Sequence, residues 1–278
     1  MVLYPGAGSS NLVLYPGARS SNLVLCSEAG SSNLVLFSSK TNQNRKQVTS
    51  MKPVKITERN VMFTEPMGEH YDLNLGLILG EKNNYIIDTG LGSGSVAPIL
   101  KYIGEDIKPI IVINTHCHWD HIWGNWVFEN SLIISHKLCR DLEDKYWDEA
   151  VHEYSGSIDG KVRKCLPNMV FDGFLSFPDD GISIFHTPGH SEDGVSVYDS
   201  VDKVLYAGDN IGDTAEDIVP WIDTDMGTFQ KLIDLYRTYD FEHCISGHNK
   251  PQTKNVLTRM ENSLAAAWEK QTAAEQKI

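Results

Sequence analysis

The stretch PIIVINTHCHWDH, residues 109–121, decides the fold of this chain. Its first half is a short apolar run, which predicts a buried strand. Its second half holds four residues that can bind a metal ion, namely His116, His118, Asp120 and His121. If the chain stays extended, the two-residue repeat of a strand places His116, His118 and Asp120 on one side, with His121 at the following turn. Imidazole and carboxylate groups together favour zinc, with iron or manganese as alternatives.

Length and charge narrow the class of protein. The chain has 278 residues, of which 41% are hydrophobic, which is enough for one large domain or two small ones. No apolar stretch approaches the roughly 20 residues that cross a bilayer, so we expect a soluble protein with no membrane partner. Acidic residues number 37 and basic residues 24, and the resulting net charge of −13 argues against a nucleic-acid partner.

The cysteines favour a reducing compartment. They are scattered, odd in number and contain no CxxC pair, being Cys26, Cys117, Cys139, Cys165 and Cys244. This pattern indicates neither a disulfide framework nor a zinc finger. We therefore expect a cytoplasmic protein, and the sequence gives no prediction of its oligomeric state.

The chain opens with an internal repeat over residues 1–44. Its four eleven-residue copies are MVLYPGAGSSN, LVLYPGARSSN, LVLCSEAGSSN and LVLFSSKTNQN. Each copy has too few apolar residues to bury a core, which predicts disorder or weak β-like association. We therefore predict a repetitive leader over residues 1–50 and a catalytic domain over residues 51–278, with Met51 as a candidate start site.

Beyond Met51 the pattern is rich in short strands. Strands are predicted at residues 54–56, 61–63, 73–79, 85–87, 109–115, 132–135, 183–186, 195–198, 204–207 and 244–246. Helical spacing predicts helices at residues 96–103, 138–154, 226–239 and 261–276, with a helix-like or turn-rich segment at 122–128. Gly, Pro and isolated aromatic residues between 155 and 180 predict an irregular insertion that covers the site.

Three further candidates for metal ligands each follow a short predicted strand. His190 follows Thr-Pro-Gly, Asp209 follows Ala-Gly, and His248 follows Ser-Gly. A glycine before each candidate lets the backbone turn tightly after the strand, so the side chain can point into a common space. We expect these residues to meet the cluster at 116–121.

In this order the motifs resemble those of the metallo-β-lactamase-fold superfamily, over roughly residues 54–252. The matching elements are Asp88 in the DTG sequence, the HxHxDH motif at 116–121, His190, Asp209 and His248. The resemblance implies an α+β fold, an αββα sandwich of two mixed β-sheets flanked by helices, with a dinuclear site at one edge. The metal residues are most similar to those of glyoxalase II.

The resemblance also implies roles for individual residues. His116, His118 and His190 would hold one metal ion, while Asp120, His121 and His248 would hold the second. Asp209 would bridge the two ions. Asp88 would accept an imidazole N–H and thereby orient one of the ligands.

This ligand set predicts a hydrolase. Two divalent ions about 3.5–4 Å apart can share a water, lower its pKa and polarise a substrate oxygen. Five histidines and two aspartates leave such a site electrophilic, which favours attack by a metal-bound hydroxide on a small ester, thioester or lactone. Asp120 is the residue best placed to accept the proton. The predicted cofactors are two Zn²⁺ ions.

Other activities of the superfamily stay open at this stage. A mononuclear iron oxygenase similar to persulfide dioxygenases would use positions that correspond to His116, His118 or its neighbour, His190 and Asp209. The full second set of ligands favours hydrolysis instead. A phosphodiesterase or nuclease and a β-lactamase-like amide hydrolase are further alternatives, although classical β-lactamases carry a cysteine where this chain has Asp209.

Four aromatic residues are candidates for the substrate pocket. They are Trp119, His70, Tyr71 and Trp221, which lie close in sequence to predicted ligands or to a strand that reaches the same edge. Apolar walls with few polar groups suit a small organic substrate.

Overall fold

The computed structural model describes residues 3–4, 7–8, 24–35, 51–68, 71–106 and 108–275. Only the backbone is described in the first three ranges and beyond residue 266. The chain divides into two units, residues 1–47 and 48–278. In the first unit, strands β1 (Leu3–Tyr4) and β2 (Ala7–Gly8) pair in parallel with β3 (Val24–Val35). That residues 1–50 are a leader without a catalytic role stays a prediction.

The second unit contains two further sheets and the helices. Its strands are β4 (Lys52–Lys55), β5 (Asn60–Met67), β6 (Tyr71–Leu79), β7 (Asn84–Ile87), β8 (Ile110–Ile113), β9 (Leu132–His136), β10 (Met169–Phe171), β11 (Phe174–Phe177), β12 (Ile182–His186), β13 (Val195–Asp199), β14 (Val204–Tyr206) and β15 (His243–Ile245). Its helices are α1 (Ser93–Ile103), α2 (Trp119–Ile122), α3 (Lys137–Glu153), α4 (Met226–Thr238) and α5 (Val256–Glu275). None of the described helices is long and apolar enough to span a bilayer.

These strands form two mixed sheets. The larger sheet has the order β10-β9-β8-β7-β6-β5-β4, in which β7 to β10 run parallel and β4 to β7 antiparallel. The smaller sheet has the order β11-β12-β13-β14-β15, and only its β14–β15 pair is parallel.

The alternation of strand side chains explains how the sheets pack. Ile111 and Ile113 of β8 face the other sheet, where they meet Ile184, Val197 and their neighbours in the core between the sheets. The residue between them, Val112, faces outward into a second core that includes the helix α1. The outer face of the smaller sheet packs in the same way against α4 and α5. The predicted αββα sandwich is therefore confirmed.

The prediction of an irregular segment at residues 155–180 was wrong for its second half. Residues 155–168 contain no strand or α-helix, but β10 and β11 follow and form the edge strands of the larger and the smaller sheet. The strands are only three and four residues long and are partly exposed, so their sequence shows little hydrophobic alternation. The last helix also begins earlier than predicted, at Val256.

A partly buried ion pair joins the two sheets at the end of the strands away from the predicted site. Arg59, which precedes β5, donates from Nε and Nη2 to the carboxylate of Asp199 at 2.8 and 2.9 Å. Asn60 donates to the same carboxylate at 2.8 Å. A two-point contact of this kind fixes the relative position of both groups, so it holds β5 of one sheet against β13 of the other.

Helix α3 buries one carboxyl group. Cys139, Glu143 and Trp147 follow each other at four-residue spacing and form the buried face of this helix. Neither carboxyl oxygen of Glu143 has a hydrogen-bond partner among the described residues, and Glu143 is 2% exposed. Burial raises the pKa of Glu143 to about 8, against smaller opposing effects of Lys164 and Arg140.

The substitution Glu143→Gln should therefore make the domain less sensitive to pH. The folded protein keeps a proton on Glu143 up to about pH 8, whereas the unfolded chain loses it near pH 4.5. Stability of the wild type should fall across this window, by up to about 1.4 kcal/mol per pH unit, and level off above it. Urea unfolding at pH 5 and pH 8.5 should show a stability advantage of the variant only at the higher pH. An equal advantage at both values would contradict this account.

Candidate metal centre

The predicted ligands all follow strands that end at one edge of the sandwich. Residues 116–121 follow β8, and Asp88 follows β7, which runs parallel to it. Asp209 and His248 follow β14 and β15, which are also parallel neighbours, so their carboxyl ends lie side by side. His190 follows β12 of the same sheet. Ligands from both sheets meet here because the two inner faces are packed against each other.

The first group of ligands contains three histidines and one carboxylate. Its members are His116, His118, His190 and Asp209. The Nδ1 atom of His118 lies 3.0 Å from Nε2 of His116 and 3.1 Å from Nε2 of His190. Oδ2 of Asp209 lies 3.5 Å from Nε2 of His116. Bonds of about 2.0–2.1 Å to a tetrahedral zinc ion place ligand atoms at similar separations.

The second group contains two histidines and one carboxylate. It consists of Asp120, His121 and His248, whose ligand atoms all lie within 4.8 Å of one another. Nε2 of His248 lies 3.3 Å from Oδ2 of Asp120 and 3.2 Å from Oδ2 of Asp209. Nε2 of His121 lies 3.3 Å from the same oxygen of Asp209. Asp209 thus contacts both groups, as the family resemblance implies for a bridging ligand.

One expectation about the central motif was wrong. The chain stays extended only through His118 and enters helix α2 at Trp119. Asp120 therefore does not share a side with His116 and His118, but lies with His121 in the second group. The helical turn separates the two halves of the motif, which is why six consecutive positions can serve two groups.

Four of the candidate histidine ligands are oriented by a hydrogen bond at Nδ1, the ring nitrogen that faces away from the other ligands. Nδ1 of His190 donates to the carbonyl of Trp221, and Nδ1 of His248 donates to the carbonyl of Asp72, both at 2.8 Å. Nδ1 of His121 lies 2.8 Å from Oδ2 of Asp88, and Nδ1 of His116 lies 3.0 Å from the Thr115 hydroxyl. A proton on Nδ1 leaves Nε2 free to act as a ligand.

Asp88 supports ligands of both groups through hydrogen bonds to Thr115 and His121. One oxygen accepts the backbone N–H of Thr115 at 2.7 Å, and the other accepts the Thr115 hydroxyl at 2.7 Å as well as His121. Because the hydroxyl of Thr115 donates to Asp88, it can accept from His116. The backbone of Asp88 has a φ of 62°, a left-handed conformation that aspartate adopts more readily than most residues.

The charges of the site fit divalent cations. Burial acts to raise the pKa of Asp209, but His121 and His248 hold it well below its usual range. Burial acts to lower the pKa of His121, but Asp209 and Asp120 raise it well above its usual range. Burial lowers the pKa of His118 well below its usual range, which leaves a neutral imidazole. The site thus combines carboxylates that require positive charge nearby with a neutral imidazole at His118.

Two buried atoms support the same conclusion. Within the part of the chain that the structure describes, Nε2 of His121 and Oδ1 of Asp209 have no hydrogen-bond partner although they are fully buried. Buried polar atoms without partners are rare in folded proteins and are costly unless an ion or water satisfies them. Gly247 lets the backbone approach this point, since a Cβ there would lie 2.1 Å from the same Asp209 oxygen. The residues therefore fit metal binding.

The candidates for the substrate pocket differ in their exposure and in the residues that they contact. The ring of Tyr71 packs edge-on against His248 at 5.4 Å, and the side chain is 39% exposed. Trp221 is 44% exposed, and its indole N–H donates to Asp223 at 2.6 Å. Trp119 is half-buried and stacks on Tyr154 at 4.6 Å, on the side of α3. His70 lies outside the described residues.

Several residues of the site carried no signal in the sequence. Thr115 and the carbonyls of Asp72 and Trp221 orient imidazoles, as described above. Asp193 accepts the backbone N–H of Cys117 at 2.8 Å and so holds the ligand loop from the other sheet. The side-chain amide of Asn74 donates to the backbone carbonyls of Ser246 and Asn249, which lie before and after His248. Ordinary polar residues and backbone groups of this kind have no characteristic spacing, so only the fold could reveal them.

Comparison with curated proteins supports a hydrolase. The chain is 28% identical over 203 residues to the acyl-coenzyme A thioesterase MBLAC2 of Homo sapiens, an alignment that covers 63% of this chain and 72% of that protein. It is 31% identical over 158 residues to a probable metallo-hydrolase of Methanocaldococcus jannaschii, covering 54% of this chain and 72% of the relative.

Comparison with solved structures supports the fold. A metallo-beta-lactamase from Pontibacter korlensis superimposes with a TM-score of 0.61 at 20% identity, covering 77% of this chain and 99% of that one. The enzyme from Hirschia baltica superimposes with a TM-score of 0.59 at 20% identity, covering 77% and 97%. The family model of the metallo-beta-lactamase superfamily matches residues 73–265. The chain belongs to the metallo-beta-lactamase superfamily and is a metal-dependent hydrolase of that superfamily.

Proposed function

We propose that the chain hydrolyses acyl thioesters at a dinuclear centre of divalent cations, with zinc as the native metal. The observation that carries the proposal is the presence of two complete groups of ligands that share Asp209. The similarity to acyl-coenzyme A thioesterases supports a thioester as the substrate. Small oxygen esters and lactones belong to the same reaction class and are the next candidates.

The residues of each group would hold one cation. His116, His118 and His190 would bind the first, and Asp120, His121 and His248 the second, with Asp209 between them. When bound, the two cations would lower the pKa of a shared water and polarise the substrate carbonyl. Hydrogen bonds to Asp88 and to the carbonyls of Asp72 and Trp221 would keep the imidazoles aligned. The ligands would then not need to reorganise during the reaction.

Asp120 is the proposed proton acceptor. Its carboxylate lies in the second group, 3.3 Å from His248 and 3.9 Å from His121. Burial acts to raise the pKa of Asp120, but His121 and His248 hold it well below its usual range. Asp120 is therefore ionised at neutral pH, which is the state that a proton acceptor requires.

The second group argues against the iron oxygenase. A mononuclear site would need only the first group, yet Asp120, His121 and His248 are buried and assembled with the same accuracy. The acidic net charge of −13 also disfavours the phosphodiesterase or nuclease alternative. A β-lactamase-like amide hydrolase has no specific support, since the lactamase likeness is below 25% identity and concerns the fold.

Tyr71 and Trp221 are proposed as walls for the acyl group. They are exposed aromatic side chains, and each belongs to a segment that contacts a histidine of a different group, His248 and His190 respectively. An acyl chain lying between them would bury apolar surface while its carbonyl reaches the metal centre.

The compartment remains a proposal as well. Cys117, Cys139, Cys165 and Cys244 are free among the described residues, in agreement with a reducing environment such as the cytoplasm.

Metal analysis tests the proposal directly. Elemental analysis of the purified chain should find about two zinc ions per molecule, because each group can hold one. Dialysis against a chelator should abolish hydrolysis of an acyl-coenzyme A or acyl-glutathione thioester, and added zinc should restore it. One iron per chain, or turnover of a persulfide instead of thioesters, would sink the proposal in favour of the oxygenase.

The substitution Asp120→Asn should reduce kcat for thioester hydrolysis by about 10²- to 10⁴-fold, because it removes the proton acceptor. Metal content must be measured in parallel, since Asp120 is also a proposed ligand. Asp213→Asn is the matched control: this carboxylate lies within electrostatic range of His248 and Asp209 but belongs to neither group. Equal losses in both variants would show that a general change of charge is responsible.

The substitution Trp221→Ala should raise KM for thioesters with long apolar acyl groups by roughly tenfold, because about 1.5 kcal/mol of apolar contact is lost. The backbone carbonyl that orients His190 remains, so kcat should change little. Trp126→Ala serves as the control, because that indole contacts Lys161 and Arg163 instead. A fall in kcat with no change in KM would contradict a role in acyl binding.

A further inference from the structure

Asn210 is a buried amide that directly follows Asp209 and reaches the turn that carries His190. Its Oδ1 accepts the backbone N–H of His190 at 2.9 Å. Its Nδ2 donates to the carbonyl of Thr187, also at 2.9 Å. The residue is 3% exposed, so neither bond competes with bulk water. A single side chain therefore connects the turn after β14 with the turn after β12.

The same amide is anchored in the interior of the domain. Nδ2 of Asn210 lies 3.2 Å from the hydroxyl of Tyr236 in α4. This hydroxyl lies 2.6 Å from Oγ of Ser196 in β13, which in turn lies 2.9 Å from Oγ1 of Thr187. The network holds the amide in one orientation, with its oxygen directed at His190.

A glycine in the turn before His190 leaves room for the side chain of Asn210. A Cβ atom at Gly189 would lie 2.4 Å from Oδ1 of Asn210 and 2.7 Å from Leu232. Glycine at this position thus allows the amide to approach the backbone of His190 closely.

The second group of ligands is held by other residues. His121 is oriented by Asp88, and His248 by the carbonyl of Asp72. Asn249, which directly follows His248, donates to the carbonyls of Gly212 and Thr214 at 2.6 and 2.8 Å. No hydrogen bond of Asn210 reaches His121 or His248 among the described contacts.

We infer that Asn210 is a positioning residue for the first cation. It fixes the distance between His190 and Asp209, two ligands of the first group that arise from different strands. The inference rests on the dinuclear centre of the proposed function, but not on the substrate. Loss of the amide frees the turn at 187–190 and leaves the second group as it is.

The test is the affinity of each site for metal in Asn210→Ala. Zinc titration against a competing chelator should give two steps in the wild type. In the variant one step should weaken by about 10- to 100-fold, the usual effect of removing a residue that supports a ligand, while the other is unchanged. Cadmium-113 NMR should show the loss or broadening of one resonance of two.

Two further variants separate positioning from general loss of stability. Tyr236→Phe removes a buried hydroxyl from the same network but leaves the bond to His190, so both zinc steps should persist despite a lower Tm. Asn249→Ala should affect the cadmium resonance that Asn210→Ala preserves. If Asn210→Ala does not fold, Gly189→Ala displaces the same amide and should weaken the same step.

The outcomes are distinct. Equal weakening of both zinc steps in Asn210→Ala, or unchanged binding of both cations, overturns the inference. A wild-type chain that binds no cation at the first group overturns both the inference and the dinuclear proposal. A wild-type chain that binds two cations but hydrolyses no thioester overturns only the proposed function.

Discussion

The oxygen Oδ2 of Asp209 lies between 3.2 and 3.9 Å from Nε2 of His116, His121, His190 and His248, and the rest of the structure depends on this convergence. Lone pairs and negative charge brought this close together in a buried site are unfavourable without a cation. The fold must therefore supply enough rigidity to hold them in advance. Asp88, Thr115, Asp193 and the carbonyls of Asp72 and Trp221 provide it through hydrogen bonds of 2.7–2.8 Å.

This requirement explains why two sheets are needed. The cluster at 116–121 arises from the larger sheet, while His190, Asp209 and His248 arise from the smaller one. Their spacing is fixed only if the sheets cannot slide, which the apolar core between them and the pair Arg59–Asp199 prevent. Close packing of this kind transmits small displacements, so residues far from the site contribute to its geometry.

The candidate metal ligands and the two proposed pocket residues lie on different parts of the fold. The candidate ligands follow strand ends of the two sheets, whereas Trp221 lies in the segment between β14 and α4 and Tyr71 is the first residue of β6. Loops at the edge of a rigid scaffold can vary without disturbing the centre, which is how one fold serves many substrates. The carbonyl of Trp221 accepts from His190, so the segment that carries this exposed indole also orients a candidate ligand.

The sequence by itself determined the strand pattern, the candidate ligands and, through the resemblance, the αββα architecture, because dense histidines after an apolar run and glycines after strands are local signals. It could not determine that the chain turns helical at Trp119, nor that residues 155–180 supply an edge strand to each sheet. Those features depend on contacts between residues far apart along the chain. The tertiary structure alone decided which residues orient the ligands, such as Asn210 and Thr115, because hydrogen bonding across strand ends leaves no periodic trace in the sequence.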